Sequence, residues 1–244
     1  MTPSEDMRVE TLGTLRARIV GGTDREGGGD GPVVVLMHGF GAPGEDLVPL
    51  WRVIPAARDV RWVFPEAPLE LGPMYGAGRA WWHIDIAKLE AAISSGETRE
   101  MAEEEPEGLQ EAREQVIALL DEVERRFGVG GERIVLGGFS QGAMLACDVM
   151  LRTERPLAGL AMMSGTLLAA QQWAPRMAAR RGTHALMSHG TMDPLLPFAA
   201  SEKLRDLLVE AGWNVDFVPF RDGHTIPPEV IEHLGALVTR TTGA

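Results

Sequence analysis

The 244-residue chain has one cysteine and one tyrosine, and it carries far fewer cationic than anionic side chains. The single cysteine, Cys147, excludes a disulfide within the chain and is typical of a protein from a reducing compartment. The formal net charge of −12 argues against nucleic acid or an anionic membrane as the main partner. No apolar run approaches the roughly 18 residues of a membrane span, and the first residues lack the basic start and apolar core of a signal peptide. These absences predict a soluble, cytoplasmic protein.

Apolar runs and helical repeats alternate along most of the chain. Continuous apolar runs between turn residues predict buried strands, and apolar residues spaced three or four apart predict helices. The predicted strands, besides the one that ends at residue 136, are Leu12–Val20 (an edge strand), Pro32–Met37, Val60–Phe64, Leu157–Met163, His184–His189 and Asn214–Phe220. The predicted helices are Asp46–Ala57, Gly108–Phe127, Phe198–Ala211 and Pro227–Val238, and Pro65–Trp82 is expected to be irregular. This alternation predicts one α/β domain over residues 1–244, with a mostly parallel central sheet and helices on both faces.

The segment 133–147, RIVLGGFSQGAMLAC, has the pattern of a strand, a tight turn and a helix. Gly138 and Gly142 stand on either side of Ser140, where a side chain would collide as strand and helix pack together. Such a nucleophile elbow exposes its serine above the sheet. The alternative is an ordinary turn in which Ser140 caps the helix. Cys147 lies on the helix that follows, so we expect a buried structural thiol rather than a reactive one.

A serine nucleophile also needs an acid and a base, which follow it in the order Asp or Glu, then His, when the serine lies on such an elbow. Asp193 follows a predicted strand and is the first candidate for the acid; the alternative role is a turn or N-cap aspartate before Pro194. Asp222 is the rival acid because it lies two residues before His224, the candidate general base. The poorer candidates for the base lie inside or at the end of predicted elements: His184, His189 and His233.

Two backbone amides are candidate donors to the negative charge that develops on a substrate carbonyl. Gln141 follows the candidate nucleophile, where such a donor is expected. Phe40 lies in the early loop HGFG (38–41), whose glycines allow the loop to turn toward the serine. His38 has no second ligand at a useful spacing, so we do not expect metal catalysis.

Together these segments resemble the phospholipase/carboxylesterase family of α/β hydrolases, which includes acyl-protein thioesterases and small bacterial carboxylesterases. The matching segments, in the family's order, are VLMHGFGAPGEDL (35–47), FPEAP (64–68), RAWWHIDI (79–86), LGGFSQGAMLA (136–146), MMSG (162–165), SHGTMDPLLP (188–197) and DGHTIPPE (222–229). The resemblance implies the α/β-hydrolase fold, the catalytic residues Ser140, Asp193 and His224, and the oxyanion donors Phe40 and Gln141. It also implies hydrolysis of carboxylic esters or thioesters without a cofactor.

The chain departs from the family's pattern near the expected substrate pocket. The family commonly has leucine and an aspartate–threonine pair where this chain has Phe40 and Ala42-Pro43, and a single tryptophan, followed by phenylalanine and aspartate, where it has Trp81-Trp82. The acidic run Glu97–Glu107, predicted to be a solvated linker or a helix start, falls where members carry variable loops over the acyl pocket. These departures concern the choice of substrate and leave the chemistry unchanged.

The sequence therefore predicts a serine carboxylesterase that acts on short- to medium-chain esters through an acyl-enzyme intermediate. Met74, Trp81, Trp82 and Leu195 are candidates for the lining of an apolar acyl pocket, and burial in the core is their alternative place. One alternative function is an acyl-protein thioesterase or lysophospholipase acting on long chains. Another is a non-catalytic binding protein on a hydrolase fold. A homodimer through the apolar rim of the site remains open.

Overall fold

The computed structural model describes residues 7–85, 87, 91, 95, 103 and 105–244. Most of the acidic run 97–107, for which a linker or helix start is predicted, lies outside the described residues. Within the described residues, no helix is both long and apolar enough to cross a bilayer.

A nine-stranded sheet organises the described part of the chain. Its strands are β1 (Arg8–Leu12), β2 (Leu15–Gly22), β3 (Glu26–Gly28), β4 (Val33–Met37), β5 (Arg61–Pro65), β8 (Ile134–Phe139), β9 (Gly159–Met163), β10 (His184–Gly190) and β11 (Asn214–Phe220), while β6 (Leu69–Glu70) and β7 (Arg79–Ala80) form a separate pair. The order across the sheet is β1-β2-β5-β4-β8-β9-β10-β11, with β3 paired to β2. Neighbours from β5 to β11 are parallel, whereas β1 and β2 are antiparallel.

Helices cover both faces of this sheet. One apolar core includes side chains from α1 (Leu109–Phe127), α2 (Gln141–Arg152), α3 (Ala170–Met177) and α4 (Phe198–Glu210). The core on the other face includes side chains from α5 (Pro228–Thr242). The residues of β4 alternate between the two cores, which is why the strand is apolar throughout. The prediction of a mostly parallel sheet with helices on both faces is confirmed.

Two local predictions are wrong, each because of a glycine or proline, and one helix was not predicted. The expected strand Leu12–Val20 is two strands, because Gly13 turns the chain in the left-handed region at φ 61°. The expected helix Asp46–Ala57 is only a 3₁₀ turn, Val48–Arg52, since Pro49 and Pro55 cannot donate to an α-helical ladder. Conversely, α3 was not predicted, because it contains Pro175. The other predicted strands and helices match their ranges to within a few residues at each end. The short strands β3, β6 and β7 were not predicted, and β6 and β7 lie in the segment Pro65–Trp82 that was expected to be irregular.

Candidate active site

Ser140 lies at the turn between β8 and α2, with a backbone φ of 53° that is rare for a residue with a side chain. Such a conformation costs on the order of 1–3 kcal/mol and is held by its surroundings. The Ser140 amide donates to the Met163 carbonyl of β9 at 2.8 Å. A Cβ atom on Gly142 would lie 2.2 Å from the Met37 carbonyl oxygen, and one on Gly138 would lie 2.4 Å from the same oxygen. The close approach of β4, β8 and α2 therefore requires both glycines.

Asp193 and His224 follow the neighbouring parallel strands β10 and β11. They lie beyond the C-terminal ends of these strands, as Ser140 lies beyond the C-terminal end of β8. Nδ1 of His224 lies 2.6 Å from Oδ2 of Asp193. The other carboxylate oxygen, Oδ1, accepts hydrogen bonds from the amides of Leu195 and Leu196 at 2.9 and 3.1 Å. Burial alone would raise the pKa of Asp193, but these hydrogen bonds and the charge of His224 hold it below its ordinary value.

The loops that carry Asp193 and His224 are in direct main-chain contact. A Cβ atom on Gly190 would lie 2.1 Å from the Gly223 carbonyl oxygen, so no side chain fits between the two loops. The Met192 amide donates to the Asp222 carbonyl at 3.1 Å. Main-chain contacts therefore fix the spacing of the two loops that carry Asp193 and His224.

One cavity of about 160 Å³ brings the predicted catalytic residues together. Ser140 and His224 both line it, and the ring of Phe139 packs against the His224 ring at a centroid distance of 4.8 Å. The apolar side chains of its wall are Phe40, Ala42, Ile84, Phe139, Met144, Leu195 and Leu196. The cavity thus joins a hydroxyl, an imidazole bound to a carboxylate, and an apolar surface.

Phe40 and Gln141, the predicted oxyanion donors, line the same cavity. The early loop lies against the nucleophile, since a Cβ atom on Gly39 would lie 3.3 Å from Cβ of Ser140. Gln141 is the first residue of α2, where backbone amides have no acceptor within the helix. Within the described residues, neither amide donates to a protein acceptor, so both are free to bind a substrate oxygen.

The Gln141 side chain connects α2 to the Trp81-Trp82 segment. Its Oε1 accepts from the Trp81 amide at 2.9 Å, and its Nε2 donates to the Trp82 carbonyl at 2.9 Å. Nε1 of Trp81 donates to the His38 carbonyl at 2.9 Å, directly beside the early loop. The His38 ring is buried as well, and its Nε2 accepts from the Ala67 amide at 3.1 Å. These contacts support the wall that holds both candidate oxyanion donors.

The four predicted pocket residues occupy different environments. Leu195 lines the cavity. Trp81 and Trp82 do not line it and are instead buried in the core, each only 1% exposed. Met74 is 96% exposed in the short turn Pro73–Tyr75, away from the cavity wall.

Sequence position could have indicated two of the lining residues that were not predicted as site residues, which are Gly39, Ala42, Asp46, Ile84, Phe139, Met144 and Leu196. Phe139 precedes Ser140, and Leu196 lies three residues after Asp193. Met144 lies one turn into α2, and Ile84 follows the tryptophan pair; neither had a local signal of a pocket. Among the described residues, no group of three His, Cys, Asp or Glu side chains could hold a metal ion.

The sequence profile of the phospholipase/carboxylesterase family matches residues 24–240. The chain belongs to this family. Acyl-protein thioesterase 1 of Neurospora crassa is 28% identical over 214 residues, which cover 84% of this chain and 85% of that protein. A rice protein (Oryza sativa subsp. japonica) named "Probable carboxylesterase" is 31% identical over 206 residues, which cover 82% of this chain and 74% of that protein.

Solved structures agree with this family assignment. The crystal structure of esterase PE8 superposes with a TM-score of 0.76 at 25% identity, over 93% of this chain and 99% of that one. A carboxylesterase from Mesorhizobium loti, at 18% identity, shares the fold with a TM-score of 0.73 over 96% and 99% of the two chains. The chain therefore has the α/β-hydrolase fold.

Proposed function

We propose that this family member is a serine carboxylesterase that hydrolyses short- to medium-chain carboxylic esters through an acyl-enzyme intermediate. One observation carries the proposal: Ser140, the Asp193-bound His224, and two backbone amides without acceptors meet at one small apolar cavity. A strained serine at the end of a parallel strand is the geometry that exposes a nucleophile in this fold.

In the proposed reaction, Oγ of Ser140 attacks the acyl carbonyl while Nε2 of His224 removes the hydroxyl proton. Asp193 stabilises the imidazolium through the 2.6 Å hydrogen bond. The amides of Phe40 and Gln141 bind the oxyanion of the tetrahedral intermediate. His224 then protonates the departing alcohol, and the serine is left acylated. A water molecule, deprotonated by His224, attacks the acyl-enzyme, and collapse of the second intermediate releases the acid and restores Ser140.

The size of the cavity supports small acyl groups. Its volume of about 160 Å³ lies below the range of roughly 300–1,000 Å³ that is usual for sites of drug-sized ligands. Its wall of Ile84, Met144 and Leu195 suits a hydrocarbon chain rather than a charged acid.

The single buried thiol of Cys147 supports a reducing, intracellular compartment for the enzyme.

A second candidate function is hydrolysis of long-chain thioesters. The relatives named acyl-protein thioesterase 1 favour it, including the Neurospora crassa protein at 28% identity. It would use the same Ser140, Asp193 and His224 but would need room for a longer chain.

Ester hydrolysis by Ser140→Ala tests the proposed mechanism. With p-nitrophenyl butyrate as the substrate, we expect kcat to fall by about 10⁴-fold or more. The control is Ser201→Ala, which removes a buried hydroxyl from α4 that has no hydrogen-bond partner among the described residues, and this variant should keep the activity of the parent. Parent-like activity of Ser140→Ala would overturn the mechanism. Absence of Ser140 labelling by a fluorophosphonate probe in folded protein would support the non-catalytic alternative.

A panel of oxygen esters and thioesters with acyl chains from C2 to C16 separates the two candidate substrates. We expect the highest kcat/KM with short or medium oxygen esters. An optimum at the long chains, or a strong preference for thioesters, would support the thioesterase instead.

A further inference from the structure

A second histidine, His189, contacts the carboxylate of Asp193, the proposed acid. This side chain is fully buried near the end of β10. Its Nδ1 lies 3.1 Å from the Gly165 carbonyl oxygen, and its Nε2 lies 3.0 Å from the Leu196 carbonyl oxygen. The same Nε2 lies 3.3 Å from Oδ2 of Asp193. That oxygen is the one that accepts the hydrogen bond from His224.

The surroundings of His189 determine which nitrogen carries its proton. Nε2 faces two acceptors, the Leu196 carbonyl and the Asp193 carboxylate, so a proton there serves both. Either neutral tautomer leaves one unprotonated ring nitrogen facing oxygen: Nε2 would face the Leu196 carbonyl and the Asp193 carboxylate, whereas Nδ1 would face only the Gly165 carbonyl. Burial, the largest effect, lowers the pKa of His189 from its ordinary value even though all three acceptors oppose that shift. Of the two neutral forms, the ring with its proton on Nε2 therefore has the smaller repulsion.

We propose that His189 is a positioning residue of the catalytic triad, whose Nε2–H holds the Asp193 carboxylate so that Oδ2 faces His224. This inference rests on the proposed function. Oδ1 accepts from two backbone amides and Oδ2 from His224, while Nε2 of His189 lies 3.3 Å from Oδ2 on the other side. Rotation of the carboxylate would break at least one of these three hydrogen bonds.

The position of His189 beside Oδ2 also affects how strongly the Asp193 carboxylate stabilises the imidazolium of His224. A carboxylate oxygen that accepts a second donor interacts less strongly with the imidazolium that forms on His224. Removal of that donor should therefore stabilise the imidazolium, so the acid limb of the kcat/KM profile should move to higher pH. The other titratable side chains near the pair are Asp46, on the wall of the cavity, and Asp222, which is bound to its own loop. Neither contacts His189.

Three substitutions separate this role from simple filling of the core. His189→Gln can place an amide donor near the position of Nε2. His189→Asn is shorter, so its amide can reach the Gly165 carbonyl but not the position of Nε2. His189→Leu fills much of the volume without a hydrogen bond. Each variant is titrated with a burst substrate, so that kcat refers to folded, active enzyme.

We expect kcat of the Asn and Leu variants to fall by about 10- to 100-fold, as for other residues that orient a reacting group without touching the substrate. KM should stay near that of the parent, because His189 does not line the cavity. The midpoint of the acid limb should rise by about half a pH unit or more. The Gln variant should recover most of the activity and most of the parent's pH profile.

An unchanged kcat and acid limb in the Asn variant would overturn the proposal, and so would an equal loss in the Asn and Gln variants. If the Leu variant does not fold, the Asn and Gln pair still decides the outcome. The parent and Ser140→Ala are assayed alongside: loss of activity in Ser140→Ala with no effect at His189 overturns only this inference. Retained activity in Ser140→Ala would instead reject the proposed function.

Discussion

The carboxylate of Asp193 lies 2.6 Å from Nδ1 of His224 although 31 positions separate the two residues in the sequence. Asp222 is only two positions from His224, yet its carboxylate accepts a hydrogen bond from the Gly223 amide at 2.7 Å. Proximity in the sequence therefore does not identify the partner of the base. The pairing of parallel strands β10 and β11 places Asp193 beside the imidazole.

The two aspartates should respond differently to substitution by asparagine. Asp193→Asn should lower kcat by about 10³- to 10⁴-fold, because an amide cannot hold the imidazole in the orientation and charge state that catalysis needs. Asp222→Asn should lower it by less than about 10-fold, since the amide oxygen can still accept from the Gly223 amide. Initial rates with p-nitrophenyl butyrate measure both changes. The reverse order of the two effects would identify Asp222 as the acid.

Trp81 should act as a support of the early loop and have no part in acyl-chain recognition. In Trp81→Phe, the buried His38 carbonyl loses its indole donor, which should lower the free energy of unfolding by about 1–2 kcal/mol. Activity should fall by a similar factor for every chain length, so the profile of preference stays unchanged. The exposed Met74→Ala is the control and should alter neither quantity. A shift in the preferred chain length of Trp81→Phe would place the indole in the pocket.

Glu66 should make stability depend on pH through two arginines. Its carboxylate lies 2.8 Å from Arg18 and 3.3 Å from Arg79. Burial alone would raise the pKa of Glu66, but these cations hold it below its ordinary value. A lowered pKa in the folded state means that the contribution to stability is complete above the unfolded-state value, near 4.5. It is lost as pH falls through the lower, folded-state value.

We therefore expect Glu66→Gln to lower the free energy of unfolding at pH 7 by about 1–3 kcal/mol. The difference from the parent should shrink as pH falls below about 4.5, because protonated Glu66 is then as neutral as glutamine. Urea unfolding at several pH values measures the effect. The matched control is Glu70→Gln, which removes an exposed partner of Arg79 and should change stability by less than about 0.5 kcal/mol. A difference that persists at low pH would show that charge is not the cause.

Local patterns in the sequence predicted the strands that precede the candidate catalytic residues: β8 contains the apolar run Ile134–Leu136, β10 contains Ala185–Met187, and apolar residues recur along β11. The glycines beside Ser140 likewise indicate a close approach that any such turn requires. The pocket was harder to predict. The side chain of Gln141 donates a hydrogen bond to the Trp82 carbonyl across 59 positions of the sequence. The tryptophan pair is buried in the core and does not line the cavity. No local pattern encodes such a contact.

The close approach of Gly190 to the Gly223 carbonyl has a consequence for how the enzyme can diversify. Because main-chain atoms set the contact between the loops that carry Asp193 and His224, the spacing of these two loops does not depend on the side chains of the cavity wall. Substitutions at Ile84, Met144 or Leu195 can reshape the cavity without altering that spacing. Substrate range and catalytic geometry are thus separately adjustable, which makes this scaffold a practical starting point for directed evolution toward other esters.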